Sequence, residues 1–258
     1  MIGDLPRDVV VLVNGAPPGA SVLLGRGLHY GDGVFRTLLR FEGHWLDFDR
    51  HYVKLVQDCR LLGLDPPHVG QLEAELGALG GGRTQPAVGK IILARSGGGR
   101  GYAPQGRQVD RILLRYPAPR FAASCWAEGV VAMRSPVTLS AQPLLAGAKH
   151  LNRLENVLAA RQWPAGVQEA LVADAQGRVV CGSRSNVFWA RNGKLFTPAL
   201  RQCGVAGVMR AKLFDAARAN GLEVELAEAP WAELFAADEV LMCNSLIGIW
   251  PIRRIDDT

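Results

Sequence analysis

Pro117-Ala118-Pro119 constrains this chain more than any other feature of its sequence. Proline has no amide hydrogen to give a sheet or helix, and it pushes the residue before it toward extended backbone. Two prolines separated by one residue therefore mark a break in the chain. On either side of the break, short β-branched runs alternate with amphipathic helical pieces, the pattern of an α+β protein. We read residues 1–117 as an N-terminal α+β domain, 118–124 as a linker and 125–258 as a C-terminal α+β domain. A cleft between such domains is a common place for a ligand site.

In the first stretch, Val9–Val13, Val34–Phe41, Trp45–Phe48, Ile91–Ala94 and Ile112–Tyr116 read as strands, with Glu42-Gly43 turning a hairpin. Asp47 or Asp49 can cap a helix that carries Tyr52, Leu55, Val56, Cys59 and Leu62 on one face and stops at Gly63. A second helical piece holds Leu72, Leu76 and Leu79 and ends at Gly80-Gly81-Gly82. In the second stretch, Val130–Met133, Ala170–Ala173, Val179–Cys181, Asn186–Ala190, Lys194–Thr197, Glu223–Leu226 and Val240–Cys243 read as strands. Helices are expected over Asn152–Gln162 and from Val208 to Ala219.

Composition narrows the function. With 48% hydrophobic and 21% charged residues over 258 positions, the chain is globular rather than disordered, collagen-like or coiled-coil. The net charge of +5 is mild and scattered, which suits small anionic ligands better than a nucleic-acid backbone. No apolar run approaches the roughly 18–20 residues of a membrane span, and the N-terminus lacks the basic start and apolar core of a secretion signal. A cytoplasmic location is the expectation. Five widely spaced cysteines form no CxxC pair and the five histidines are dispersed, so neither a disulfide framework nor a metal site is expected. Serine-hydrolase elbows, phosphate-loop lysines, zinc-protease helices and dinucleotide fingerprints are absent.

Four segments can carry chemistry. Lys149, in GAKHLNRLE, stands just before a helix, where apolar neighbours can ease loss of its proton. Taken alone, a solvated surface lysine is the commoner case. The glycine-rich loop Ser96–Tyr102 allows close backbone approach, and Arg100 offers a planar fork for a carboxylate, although such loops are also ordinary connectors. Cys203–Arg210, CGVAGVMR, leads glycines into a helix N-terminus, either a phosphate cradle or a plain strand-to-helix connection. Cys243-Asn244-Ser245-Leu246 either completes an anion site or simply ends a strand.

In order along the chain, GLHYGDGVFRTL, SGGGRGY, GAKHLNRLENVL, SRSNVFW, CGVAGVMR and CNSLIGIWPI resemble the class IV fold of pyridoxal-phosphate (PLP) enzymes. That class includes branched-chain and D-amino acid aminotransferases and aminodeoxychorismate lyase. KHLNRLE, SGGGRGY and the CNSL-to-Pro251 ending are most similar to the lyase branch. The resemblance implies a two-domain α+β fold with its active site in the interdomain cleft, a homodimer, and PLP held by Lys149 of the C-terminal domain as a Schiff base. It implies that 4-amino-4-deoxychorismate is converted to 4-aminobenzoate and pyruvate, a step of folate synthesis. Arg100 and Tyr102 then bind substrate, with Tyr30, Phe35 and Thr37 in the substrate pocket and Asn152 and Arg153 near the cofactor. Val205, Ala206, Gly207 and Val208 hold the PLP phosphate, with Ser245 and Leu246 as a second phosphate-binding segment.

Two positions depart from the family pattern. Lys54 stands where the family usually has an arginine on the phosphate, keeping the charge but losing the bidentate fork. Cys181 stands where the family carries a glutamate against the pyridine nitrogen. A thiol is a weak hydrogen-bonding partner. It favours an elimination driven by aromatisation over amino transfer. The competing expectations are a branched-chain or D-amino acid aminotransferase, or a catalytically inactive homologue.

Overall fold

A computed structural model describes residues 8–80, 84–97 and 101–257. Its chain forms two compact units, one of Met1–Arg120 with Lys149–Asn152 and one of Phe121–Ala148 with Arg153–Thr258. The excursion Lys149–Asn152 corrects the expectation that the second domain carries the lysine. Its backbone is tied into the first unit: Phe35 N–H donates to the Lys149 carbonyl at 2.9 Å and Leu151 N–H to the Gly33 carbonyl at 3.0 Å. His150 forms an antiparallel bridge with Val34.

The first unit holds β1 (Val10–Val13), α1 (Arg26–Tyr30), β2 (Gly33–Phe41), β3 (His44–Trp45), α2 (Phe48–Leu61), α3 (Val69–Gly80), β4 (Ala87–Arg95) and β5 (Val109–Pro117). The strands make a sheet in the order β1-β5-β4-β2-β3. Every neighbouring pair in it is antiparallel. Side chains alternate across a strand. On β2 the buried row is Val34, Arg36, Leu38 and Arg40, while Phe35, Thr37 and Leu39 form the other, half-buried row. Val34 and Leu38 pack with Leu55 and Cys59 of α2, Leu72, Leu76 and Leu79 of α3, and Ile91, Leu93 and Leu113 of the sheet.

The expected strand at Trp45–Phe48 is shorter than its hydrophobicity suggests, because Phe48 already begins α2. Asp47 is the residue before that helix, with its carbonyl accepting from His51 N–H at 3.0 Å.

The second unit holds α4 (Ser124–Ala127), β6 (Val130–Leu139), α5 (Leu154–Ala160), β7 (Glu169–Asp174), β8 (Val179–Gly182), β9 (Asn186–Arg191), β10 (Lys194–Pro198), α6 (Val208–Ala219), β11 (Val224–Ala227), α7 (Trp231–Phe235), β12 (Glu239–Asn244) and β13 (Gly248–Ile255). Its eight strands run in the order β11-β10-β9-β12-β13-β6-β7-β8. The pairs β6–β7 and β10–β11 are parallel. A parallel pair needs a crossover, and α5 and α6 lie in those two. Alternation along β7 puts Leu171 into a core with Val187, Trp189, Met242 and Trp250, and Val172 into another with Leu139, Ala159, Val180 and Cys181.

Candidate active site

In the first unit, Lys149 is the centre of the most constrained group. Its peptide N–H donates to Asp58 Oδ2 at 3.1 Å. Its carbonyl accepts from Phe35 N–H. Its ammonium lies 4.5 Å from the centre of the Phe35 ring. Phe35 and Thr37 share the β2 face opposite the core. Lys90, the register partner of Thr37 on β4, puts its own amine 4.9 Å from the same ring. Burial pulls the Lys90 ammonium below its usual range. Sequence reasoning missed Lys90, although a lone lysine inside the apolar strand AVGKIILAR is a visible signal.

Asp58 is fully buried and ion-paired with both Arg36 of β2 and Lys54 of α2. Two cations thus meet this one carboxylate, which offsets the cost of burying it. Burial, and then the like charge of Arg36, pull the Lys54 ammonium down to about 8. Asn152 approaches the turn after α1, where Gly31 has φ of 64°. A Cβ on Gly31 would run into Asn152 Oδ1.

The stem of the glycine-rich loop is fixed by a second charged cluster. Arg26 and Arg95 both donate to Asp32 Oδ2, at 2.8 and 2.9 Å. Arg26 also donates to the carbonyls of Gly101 and Tyr102, at 2.9 and 3.0 Å. The Tyr30 hydroxyl accepts from Gly101 N–H at 3.1 Å, so Tyr30 is tied to this loop. Tyr102 is 87% exposed and meets the Tyr30 ring edge-on. Arg100 lies outside the described residues. Burial pushes the Asp32 carboxyl up, but hydrogen bonds from Arg95 and Arg26 outweigh it and hold it below the usual range.

In the second unit, Asn186 organises the turn before α6. Its Nδ2 donates to the Val205 carbonyl at 2.7 Å and its Oδ1 accepts from Gly207 N–H at 3.1 Å. Ala206 N–H donates to the Gly147 carbonyl at 3.0 Å. Of the expected phosphate-binding amides, those of Ala206 and Gly207 are thus engaged inside the protein. Val208 and Met209 open α6, and the first amides of a helix have no intrahelical acceptor. The helix dipole adds positive potential there. The amides of Val208 and Met209 therefore stand at the positive end of α6, and Met209 is a position the sequence reading did not single out.

Glu169 holds the turn that leads to Asn186. Its fully buried carboxylate accepts from Ser183 Oγ at 2.6 Å, Ser185 Oγ at 2.8 Å, and the amides of Ser183 and Ala170. Cys181 lies buried on β8, paired with Val172. Arg153 donates to the Ala148 carbonyl at 2.9 Å. Burial pulls its guanidinium down, while Cys181 and Glu155 oppose that. At the end of β12, Asn244 Oδ1 accepts from the amides of Leu246 and Ile247 at 2.8 and 3.1 Å, which fixes the turn around Ser245 and engages the Leu246 amide. Burial drives the thiols of Cys59 and Cys243 up to about 12 and Cys203 to about 11, so none of these three is a thiolate nucleophile at neutral pH.

Residues 33–255 match the family described as amino-transferase class IV. The chain is 36% identical over 253 residues to the aminodeoxychorismate lyase of Vibrio harveyi, covering 94% of this chain and 90% of that one. It superposes on the crystal structure of the 4-amino-4-deoxychorismate lyase of Pseudomonas aeruginosa with a TM-score of 0.89 and 42% identity, covering 96% and 92% of the two chains. The PLP-bound form of a hypothetical aminotransferase from Mycobacterium tuberculosis shares the fold, with a TM-score of 0.78 and 24% identity over 96% of this chain and 91% of that one.

Proposed function

Because the chain belongs to the class IV aminotransferase family, we propose that it is an aminodeoxychorismate lyase, a PLP enzyme that splits 4-amino-4-deoxychorismate into 4-aminobenzoate and pyruvate. One observation carries the choice of reaction: two proteins named for it are 36% and 42% identical to nearly the whole chain. Three features of the structure fit PLP. An amine lies on the apolar face of Phe35. Two cations, Arg36 and Lys54, gather at one buried carboxylate. A twelve-residue helix opens behind a glycine at which a Cβ would meet Asn186 Oδ1.

When bound, PLP supplies an aldehyde that links to amines and a conjugated ring that draws electrons from the adjoining carbon. Lys149 Nζ would hold the cofactor, and its amine is placed to take the proton from the substrate carbon that bears the amino group. Phe35 orients the lysine and Thr37 extends the same face. Lys90 offers a half-buried positive charge to a substrate carboxylate, a task shared with Arg100 and bordered by Tyr30 and Tyr102. Val208 and Met209 give their amides to the phosphate, supported by Ser245, Lys54 and the turn that Asn186 locks. Asn152 and Arg153 follow the lysine in sequence and steady its segment, Arg153 through the Ala148 carbonyl. Cys181 would offer the cofactor's pyridine nitrogen a thiol instead of a carboxylate. Loss of the enolpyruvyl group leaves an aromatic ring, so this elimination needs less help from the cofactor ring than amino transfer does. A homodimer completes the reading, supported by the exposed stripe Leu154, Val157 and Leu158 on α5. Among the described residues no helix is long and apolar enough to cross a membrane, and we place the enzyme in the cytoplasm.

Feeding 4-amino-4-deoxychorismate to the purified, PLP-loaded protein is expected to release fluorescent 4-aminobenzoate, and borohydride is expected to fix the cofactor on Lys149 in peptide mapping. Keto-acid-dependent amino transfer without 4-aminobenzoate would overturn the lyase reading. A Cys181→Glu variant is expected to gain amino transfer while keeping the elimination.

A further inference from the structure

We propose that Asp58 is a positioning residue for the reacting amine: its buried carboxylate fixes the peptide plane from which the Lys149 side chain departs. This rests on the reading of Lys149 as the cofactor lysine.

The argument starts from what a loop lysine needs. An amine on four methylenes has many rotamers, and its reach is set by where its own backbone is held. Lys149 lies in an extended excursion outside the named strands, yet both of its peptide groups are pinned. The carbonyl takes Phe35 N–H at 2.9 Å. The N–H goes to Asp58 Oδ2 at 3.1 Å. With N–H and C=O both fixed, the Cα–Cβ direction is fixed, and the ammonium comes to rest 4.5 Å from the Phe35 ring.

The donor to Asp58 is an ordinary amide, which a carbonyl or a water would satisfy. The chain instead buries a carboxylate there, with 0% exposure. Burying that charge is costly unless cations accompany it, and Arg36 and Lys54 do so. Arg36 follows Phe35 on β2, so the two holds on Lys149 come from adjacent positions of one strand: Phe35 through its amide, Arg36 through Asp58. A carboxylate serving only to attach α2 to β2 would have no reason to reach a third group outside both elements.

The test has a part that needs no variant. In 15N-lysine-labelled wild-type protein, the Lys149 amide is expected to exchange at least about 100-fold more slowly than an open amide. Exchange at the open rate overturns the proposal. The second part uses Asp58→Asn, which keeps the shape and an acceptor but removes the charge. Borohydride is expected to fix cofactor on Lys149 to the wild-type extent. The induced circular dichroism per bound cofactor is expected to fall by about half or more. The kcat for 4-aminobenzoate is expected to drop on the order of 10- to 100-fold with KM within about threefold, the pattern of a displaced reacting group.

If Asp58→Asn does not fold, Arg36→Met/Asp58→Asn restores the cluster's net charge and carries the same measurements. Wild-type dichroism and kcat in a folded variant labelled at Lys149 remove the proposal alone. A wild-type protein that takes no cofactor on Lys149 removes the functional reading, and the proposal with it.

Discussion

The two units hold their functional groups by different means. In the first, charge does the holding: Asp58 between Arg36 and Lys54 fixes the Lys149 segment, and Asp32 between Arg26 and Arg95 fixes the loop stem. In the second, the turn before α6 rests on neutral donors: an amide side chain, Asn186, and two serine hydroxyls gathered on the single carboxylate of Glu169. The difference follows from the groups served. A reacting amine on a flexible side chain gains from fixed charges that hold its backbone in place. A phosphate gains from oriented amides, and Glu169 acts on that turn only through the serine hydroxyls it holds.

The comparison can be broken in several places. The largest effect belongs to Lys149→Ala. It is expected to cost at least about 10³-fold in 4-aminobenzoate formation, while PLP still binds without a covalent bond because the phosphate groups stay in place. Equilibrium dialysis checks this, and complete loss of binding would erase the division of labour. Glu169→Leu comes next. It takes the carboxylate acceptor from two buried serine hydroxyls, and it is expected to lower stability in urea by about 3 kcal/mol or more.

Gly207→Ala is gentler. Its methyl group displaces Asn186 Oδ1, and a lost hydrogen bond of about 1 kcal/mol weakens PLP affinity roughly 5- to 10-fold with kcat per bound cofactor unchanged. Fluorescence titration reads it. The smallest effect is set by pH. Hydrogen bonds from arginine hold Asp32 and Asp174 below the usual carboxylate range, against the upward push of burial. Their stabilising contribution is therefore complete above the unfolded value near 3.8 and is lost as pH falls through the lower folded value. The gap in Tm between wild type and Asp32→Asn or Asp174→Asn is expected to stay level above about pH 5 and to close in stronger acid.

Much of this was legible in the sequence because period and punctuation are local. The alternation of β2, the apolar face of α2 and the whole of α6 follow from residue spacing. The helices α1, α4 and α7, of five, four and five residues, are too short to show a period. Strand β13 was hidden by Pro251, which it tolerates because pairing with β6 begins only at Ile252.

Toward the candidate site, motif order singled out Lys149, the turn before α6 and Cys243-Asn244-Ser245-Leu246. It gave no sign of Asp58, Lys90 or Glu169, whose roles come from partners 91 residues away for Asp58 and 14 and 16 for Glu169. Nor did position in the chain reveal that Lys149 is packed with residues more than a hundred positions earlier.

That last arrangement has a practical side. Lys149–Asn152 is borrowed from the second half of the gene to finish the first unit. A fragment ending near Arg120 would thus present β2 without its guest strand, while the remainder would carry the lysine with no platform to lay it on. Neither half can be grafted, swapped or inherited with its chemistry intact, so shuffling between relatives has to exchange the excursion and β2 together.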